Sequence, residues 1–236
     1  MPDNTPSTAL LDQLRKLDTP TICNALEVAC PERRTYGFTT EPLICPFPDL
    51  PPIVAFARTS TMRSVEPASG SGEEQRRKIF AYYDYVSSGP APRVAVIQDI
   101  DGARAASGAL WGEVNSAIHK ALGCLGVITN GSVRDIPQVA PGFQFIAGRI
   151  TPSHIHAKLV DFDLEVNVAG MVVRTGDLIH ADRHGAAVIP RDKVKEVIEA
   201  ADLCARREKV ILDICRGKDF SVDKLKAAIG DADKIH

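Results

Sequence analysis

Two apolar runs flank one amphipathic stretch in the middle of this chain, and that order leaves few folds open. Arg93 to Ile100 (RVAVIQDI) is β-branched and long enough for one buried strand. From Glu113 the apolar residues Val114, Ala117, Ile118, Ala121 and Leu122 recur at helical spacing, which predicts a helix with those side chains on one face. Gly123 is a natural helix stop, and Gly126 to Thr129 is a second short apolar run. The pattern predicts a parallel pair joined by a right-handed crossover helix, with Asn130-Gly131 turning the chain afterwards. In such units functional groups collect beyond the carboxyl ends of the strands. That rule places Glu113 in the junction after the first strand and Arg134-Asp135 in the loop after the second. The two loops, about 20 residues apart in sequence, are thereby neighbours in space.

The remainder reads as one mixed α/β domain over residues 1–236. N-terminal helices fill residues 1–30, and a C-terminal helical segment fills 192–236. Thr8 to Leu17 and Thr21 to Val28 are helical, separated by the capping and first-turn residues Asp18 and Pro20. Residues 31–53 are proline-rich and irregular. Ile53 to Met62 and Phe143 to Ile150 read as strands, and Glu73 to Ser87 as a helix. Leu159 to Val168 alternates strictly and predicts one half-buried antiparallel strand, turned by Ala169-Gly170 into Met171 to Val173. Leu178 to Ala181 and Ala186 to Ile189 flank a tight turn at Arg183-His184-Gly185. Asp192 to Arg216 is a long amphipathic helix, and Val222 to Ile229 a short one.

With a net charge of −2 and no basic stripe interleaved with aromatics, the chain carries no nucleic-acid signature. No apolar run reaches membrane-spanning length, and the opening MPDNTPSTALL lacks the basic start and apolar core of a leader. Six cysteines without a CxxC pair read as reduced thiols, so a cytoplasmic protein is expected. Ser69-Gly70-Ser71-Gly72 has no following GK and is no phosphate loop. No dinucleotide glycine fingerprint is evident, so a methyltransferase reading finds no support.

The run GALWGEVNSAIHKALGCLGVITNGSVRD resembles the core signature of the RraA-like family. That family includes the 4-hydroxy-4-methyl-2-oxoglutarate / 4-carboxy-4-hydroxy-2-oxoadipate aldolases and also regulators that bind a ribonuclease. Gly176-Asp177-Leu178, Ala181-Asp182, Gly185 and Val188-Ile189-Pro190 match a second element. Thr19 to Leu26 is similar to the family's first helix, with Asn24 where an aspartate is usual. The resemblance implies a swivelling β/β/α core and a homotrimer or homohexamer with active sites at subunit interfaces. It also implies a divalent metal, Mg2+ or Mn2+, used to cleave pyruvate from a tertiary 4-hydroxy-2-oxo acid and to decarboxylate oxaloacetate. Matched by motif position, Asp135 is the direct metal ligand and Glu113 holds a metal-bound water. Arg134 contacts substrate oxygens, and the amides of Val114 and Asn115 bind the substrate carboxylate. Glu208 stands for an acid that a neighbouring subunit contributes in some members.

These residue types suit the chemistry. Retro-aldol cleavage needs an electron sink at the ketone, an anchored carboxylate and a proton acceptor. Magnesium takes one or two protein carboxylates and keeps its waters. Helix-start amides favour a carboxylate, and arginine forks two oxygens. His119 lies too far round the helix to favour as the base. Trp111 reads as packing and Asp182 as a turn residue. His154, His156, His180 and His184 raise two alternatives: a zinc hydrolase, or a lyase for a different oxo acid, to which Tyr82-Tyr83-Asp84-Tyr85 also points. Against the regulator reading, regulators characteristically lack the acid after the arginine, and this chain keeps Asp135.

Overall fold

A computed structural model describes residues 5–236; the first four residues of the stretch read as leaderless lie outside the described residues. The fold is mixed α/β and grows from β1 (Ile53–Arg63), whose residues are buried from Ile53 to Met62. Along one side runs β2 (Arg93–Asp99), parallel, in register from Phe56 opposite Arg93 to Met62 opposite Asp99. Along the other, β9 (Leu178–Asp182) pairs antiparallel with the first half of β1, and β6 (Lys158–Phe162) with the second half. Next to β9 lies β10 (Gly185–Ile189). Beyond β2 come β4 (Cys124–Val133) and, on β4, both β3 (Ala109–Trp111) and β5 (Gln144–Ile150), all parallel.

Period-two alternation sorts the core into layers. Ile53, Ala55, Ala57, Val94 and Val96 face a small second sheet, the hairpin of β7 (Val166–Val168) and β8 (Met171–Val173). Val54 and Phe56 face the opposite way, onto α1 (Thr8–Leu14), α2 (Thr19–Ala29) and the start of α5 (Val194–Arg216). Ala95, Ile97 and Val127 pack on the same side against Tyr82 and Val86 of α3 (Gly72–Ser87) and against Trp111. Hairpin, main sheet and helices are thus stacked in the β/β/α order that the resemblance implies. Asp18 caps α2 by accepting the Thr21 N–H at 2.9 Å, and Ser71 and Glu74 form a reciprocal capping box on α3. The far half of α5 is shielded only in part by α6 (Val222–Ala232), and Arg207 of α5 donates to the carbonyl of Ile235, just past the end of α6. No described helix is long and apolar enough to cross a membrane.

Several sequence expectations need correction. Asn130-Gly131 does not turn the chain; β4 continues through it to Val133. The Asn130 amide accepts the Asp99 N–H at 2.8 Å and donates to the Asp99 carbonyl at 3.0 Å, so a side chain replaces a strand partner where β2 ends. Past this point β4 pairs with β3, a short strand lying in the junction between Ile100 and Glu113. The stretch Leu159 to Val168 is not one strand. Asp163, at φ 63°, breaks it into β6 on the main sheet and β7 on the hairpin. Alternation survives the break because the intervening residues preserve its parity. The long helix begins at Val194, two residues later than the pattern predicts, after a 3-10 turn over Arg191–Lys193.

The crossover helix α4 (Glu113–Ala121) is present, and its apolar face is not the one that turns inward. Its buried residues are Ser116 and His119, while Val114 is 68% exposed. The inward face is polar yet satisfied. Ser116 Oγ donates to the Glu113 carbonyl at 2.8 Å and accepts the Ala140 N–H at 3.1 Å. His119 Nδ1 donates to the Asn115 carbonyl at 2.8 Å, so its Nε2 accepts the Tyr82 hydroxyl at 3.0 Å. The rings of Trp111 and His119 lie 4.4 Å apart.

Two measurements check this packing. Ile22, fully buried under α5, should cost about 3 kcal/mol when cut to alanine, against about 1 kcal/mol for Asp18→Ala, both read by urea unfolding. Burial holds His119 down at about 4 from an ordinary 6.5, and lowers His180 as well. A depressed histidine stabilises fully above the unfolded value, and that stability is lost as pH falls. Stability should therefore decline from pH 6.5 towards 4, by roughly 3 kcal/mol for His119 alone. His119→Leu should flatten that part of the profile.

Candidate active site

The partner switch along β4 builds the site. Once β4 runs beside β3, the Arg134 N–H donates to the Trp111 carbonyl at 2.8 Å. This bond joins the end of one motif to the start of the other. Asp135 follows in the left-handed region, at φ 53° and ψ 39°, and its carbonyl accepts the Gln138 N–H. That conformation is uncommon for a residue with a Cβ and turns the side chain back over the first turn of α4.

The carboxylate of Asp135 rests on Gly112. Oδ2 accepts the Glu113 N–H at 3.3 Å and lies 3.5 Å from Arg134 Nε. A Cβ at Gly112 would stand 2.3 Å from the same oxygen, so only glycine leaves the carboxylate room. The backbone of Gly112 is ordinary extended chain, and its requirement here is one of space alone. The side chains of Arg134 and Asp135 are 36% and 34% exposed, open to solvent on one side and supported on the other. A negative charge at a helix start is also favoured by the helix dipole.

The first turn of α4 supplies donors. The Ser116 N–H is taken by the Gly112 carbonyl and that of Glu113 by Asp135. The amides of Val114 and Asn115 come before any intrahelical carbonyl can reach them. The Asn115 side chain is tied back to the Leu110 carbonyl at 2.5 Å, holding that turn against β3. Glu113 is exposed at the helix start. Glu113, Val114, Asn115, Arg134 and Asp135 therefore converge on one surface, with Glu208 apart from them on exposed α5. What motif reading did not foresee is the Gly112 cradle; the only signal for it was the glycine immediately before the acid.

The donor set suits a hard, hydrated dication better than zinc. Among the described residues no group of three or more histidine, cysteine or acidic side chains is placed to hold a metal. Asp135 and Glu113 offer carboxylate oxygens, the ligand type that magnesium prefers. Two of the histidines have other work. His180 is fully buried; its Nε2 donates to the carbonyls of Leu14 and Leu17, and its Nδ1 accepts the Thr19 hydroxyl. Asp182 shapes its turn, accepting the N–H groups of Thr19 and His184, and it pairs with the His184 ring at 3.0 Å. His154 and His156 are exposed between β5 and β6.

Comparison with known proteins agrees with this architecture. Over 128 residues the chain is 31% identical to an uncharacterized protein of Methanocaldococcus jannaschii, an alignment covering 53% of this chain and 62% of that protein. The chain thus spans under two thirds of the length of that relative. The crystal structure of an uncharacterized protein from Pseudomonas syringae pv. tomato superposes with a TM-score of 0.71 at 21% identity, covering 96% of this chain and 95% of that one. Streptomyces coelicolor RraAS2, described as an unusual member of the RNase ES inhibitor RraA protein family, gives 0.67 at 22% identity, covering 87% and 96%. At these identities the likeness is one of fold. The RraA-like family model, described as Aldolase/RraA, matches residues 19–188, and the chain belongs to that family.

Proposed function

We propose that this protein is a divalent-metal-dependent carbon–carbon lyase that cleaves a 4-hydroxy-2-oxo acid to pyruvate and a second oxo compound, and that also decarboxylates oxaloacetate. The observation that carries the reading is the Asp135 carboxylate seated on Gly112, beside the Arg134 guanidinium and the open amides of α4. Asp135 would ligate Mg2+ or Mn2+ directly, and Glu113 would hold one of its waters. When bound, the metal supplies a Lewis acid at the 2-oxo group.

The chain's own residues do the rest. The Val114 and Asn115 amides hold the substrate's C1 carboxylate at the positive end of α4. Arg134 forks two substrate oxygens and opposes the charge that develops there. Glu113 receives the C4 hydroxyl proton through a water. The C3–C4 bond breaks, its electron pair becomes the enolate of pyruvate, C4 becomes a carbonyl carbon, and C3 is then protonated. We further propose a single domain acting as a cytoplasmic homotrimer or homohexamer, with no nucleic-acid or membrane partner. The exposed stripe of Val114, Ala117 and Ala121 beside the site favours a subunit contact there.

The alternative is a non-catalytic regulator that binds a ribonuclease, a reading favoured by the description of the Streptomyces relative. A coupled pyruvate assay with oxaloacetate and 4-hydroxy-2-oxo acids separates them. Pyruvate should appear only with added Mg2+ or Mn2+ and stop with EDTA. Asp135→Ala should lower the rate by about 10²–10³-fold. Gly112→Ala should act in the same direction by displacing the carboxylate, with an unchanged melting temperature. Turnover that persists in EDTA would sink the magnesium reading, and no turnover with any oxo acid would favour the regulator.

A further inference from the structure

A cavity of about 630 Å3 opens between α3 and α4. It meets the candidate site at Leu110, Trp111 and Asn115, the residues that lead into the first turn of α4. Its inner wall is aromatic, formed by Tyr82, Tyr83, Trp111 and His119. This wall is prebuilt. The Tyr82 hydroxyl donates to His119 Nε2, His119 Nδ1 donates to a carbonyl, and the Trp111 ring stacks at a tilt on the imidazole. Both imidazole nitrogens are occupied, so His119 contributes a flat surface and no free base.

Two further observations describe what this space lacks. Trp111 Nε1 is buried and has no acceptor among the described residues. At the mouth stand Lys78 and Lys158, whose ammonium groups donate to the carbonyls of Val160 and Glu66; neither has a carboxylate partner among the described residues. The acid in the lining, Glu74, is engaged in the capping box with Ser71. An aromatic inner wall with two lysines against one carboxylate at the rim selects for a ring carrying an anion.

We infer that the cavity between α3 and α4 binds an aromatic carboxylate, its ring against Trp111 and Tyr83 and its carboxylate at Lys78 and Lys158. Taken with the lyase reading, on which this second step rests, the occupant is the far end of the substrate. The substrate class is then a 4-hydroxy-2-oxo acid whose C4 bears an aromatic ring with an acidic group. Cleavage of its C3–C4 bond yields pyruvate and an aromatic carbonyl compound that keeps the acidic group.

Trp111 is the single tryptophan of the chain, so its fluorescence reports directly on the cavity. The intact protein in EDTA is titrated with phenylacetate, with acetate as the charged probe without a ring and phenylacetamide as the ring without a charge. Phenylacetate should change the emission saturably, acetate should not, and phenylacetamide should bind ~10-fold more weakly, the worth of one charge-assisted contact. The double variant Lys78→Gln with Lys158→Gln should weaken phenylacetate by a similar ~10-fold factor and leave phenylacetamide and the melting temperature unchanged. No saturable response to phenylacetate, or equal responses to phenylacetate and acetate, would overturn the inference. Because the titration uses no metal and no turnover, its outcome is separate from the pyruvate assay. Binding without pyruvate release keeps the cavity and removes the lyase, whereas pyruvate release without binding removes the cavity.

Discussion

One backbone hydrogen bond, from the Arg134 N–H to the Trp111 carbonyl, holds the two halves of the candidate site together. It exists because β4 outlasts β2 and takes β3 as its new neighbour. The Asn130 side chain makes the change possible by satisfying both backbone groups of Asp99 at the point where β2 ends. A buried strand end with unpaired polar groups would be costly, and here an amide side chain meets both needs. The candidate site follows from that junction: the left-handed Asp135, its carboxylate over Gly112, and the open first turn of α4.

Helix α4 carries a second constraint. It buries Ser116 and His119 and leaves Val114, Ala117 and Ala121 exposed, so part of its apolar face points outward. This orientation is stable because Ser116 and His119 find partners in full. Two consequences come from the same orientation. The apolar stripe lies beside the candidate site, at the place of the proposed subunit contact. The imidazole meets Tyr82 and Trp111, and those rings wall the cavity that runs to the first turn of α4.

Much of this was legible in residue order. The strand runs, the crossover helix and the hairpin at Arg183-His184-Gly185 all follow from period, punctuation and length. Glu113, Arg134 and Asp135 were found because strand–helix–strand connectivity makes their loops adjacent. The orientation of α4 was not legible. Hydrophobic period reports which residues share a face, and says nothing of whether that face meets the chain's own core or a partner. Nor was the break at Asp163, since alternation continues in step on either side of it. The cavity was hidden because Tyr82 and His119 lie 37 residues apart, with no local signal linking them.

Local order by itself determined the kinds of element, their sequence, the parallel pairing and the identity of the charged groups at the strand ends, because each rests on steric and hydrophobic preferences within a few residues. Only the tertiary structure decided which face of α4 turns inward, where β4 changes partner and how closely Gly112 admits the Asp135 carboxylate. Those outcomes depend on hydrogen bonds and contacts between residues distant in the chain, whose strength exists only once the layers have packed.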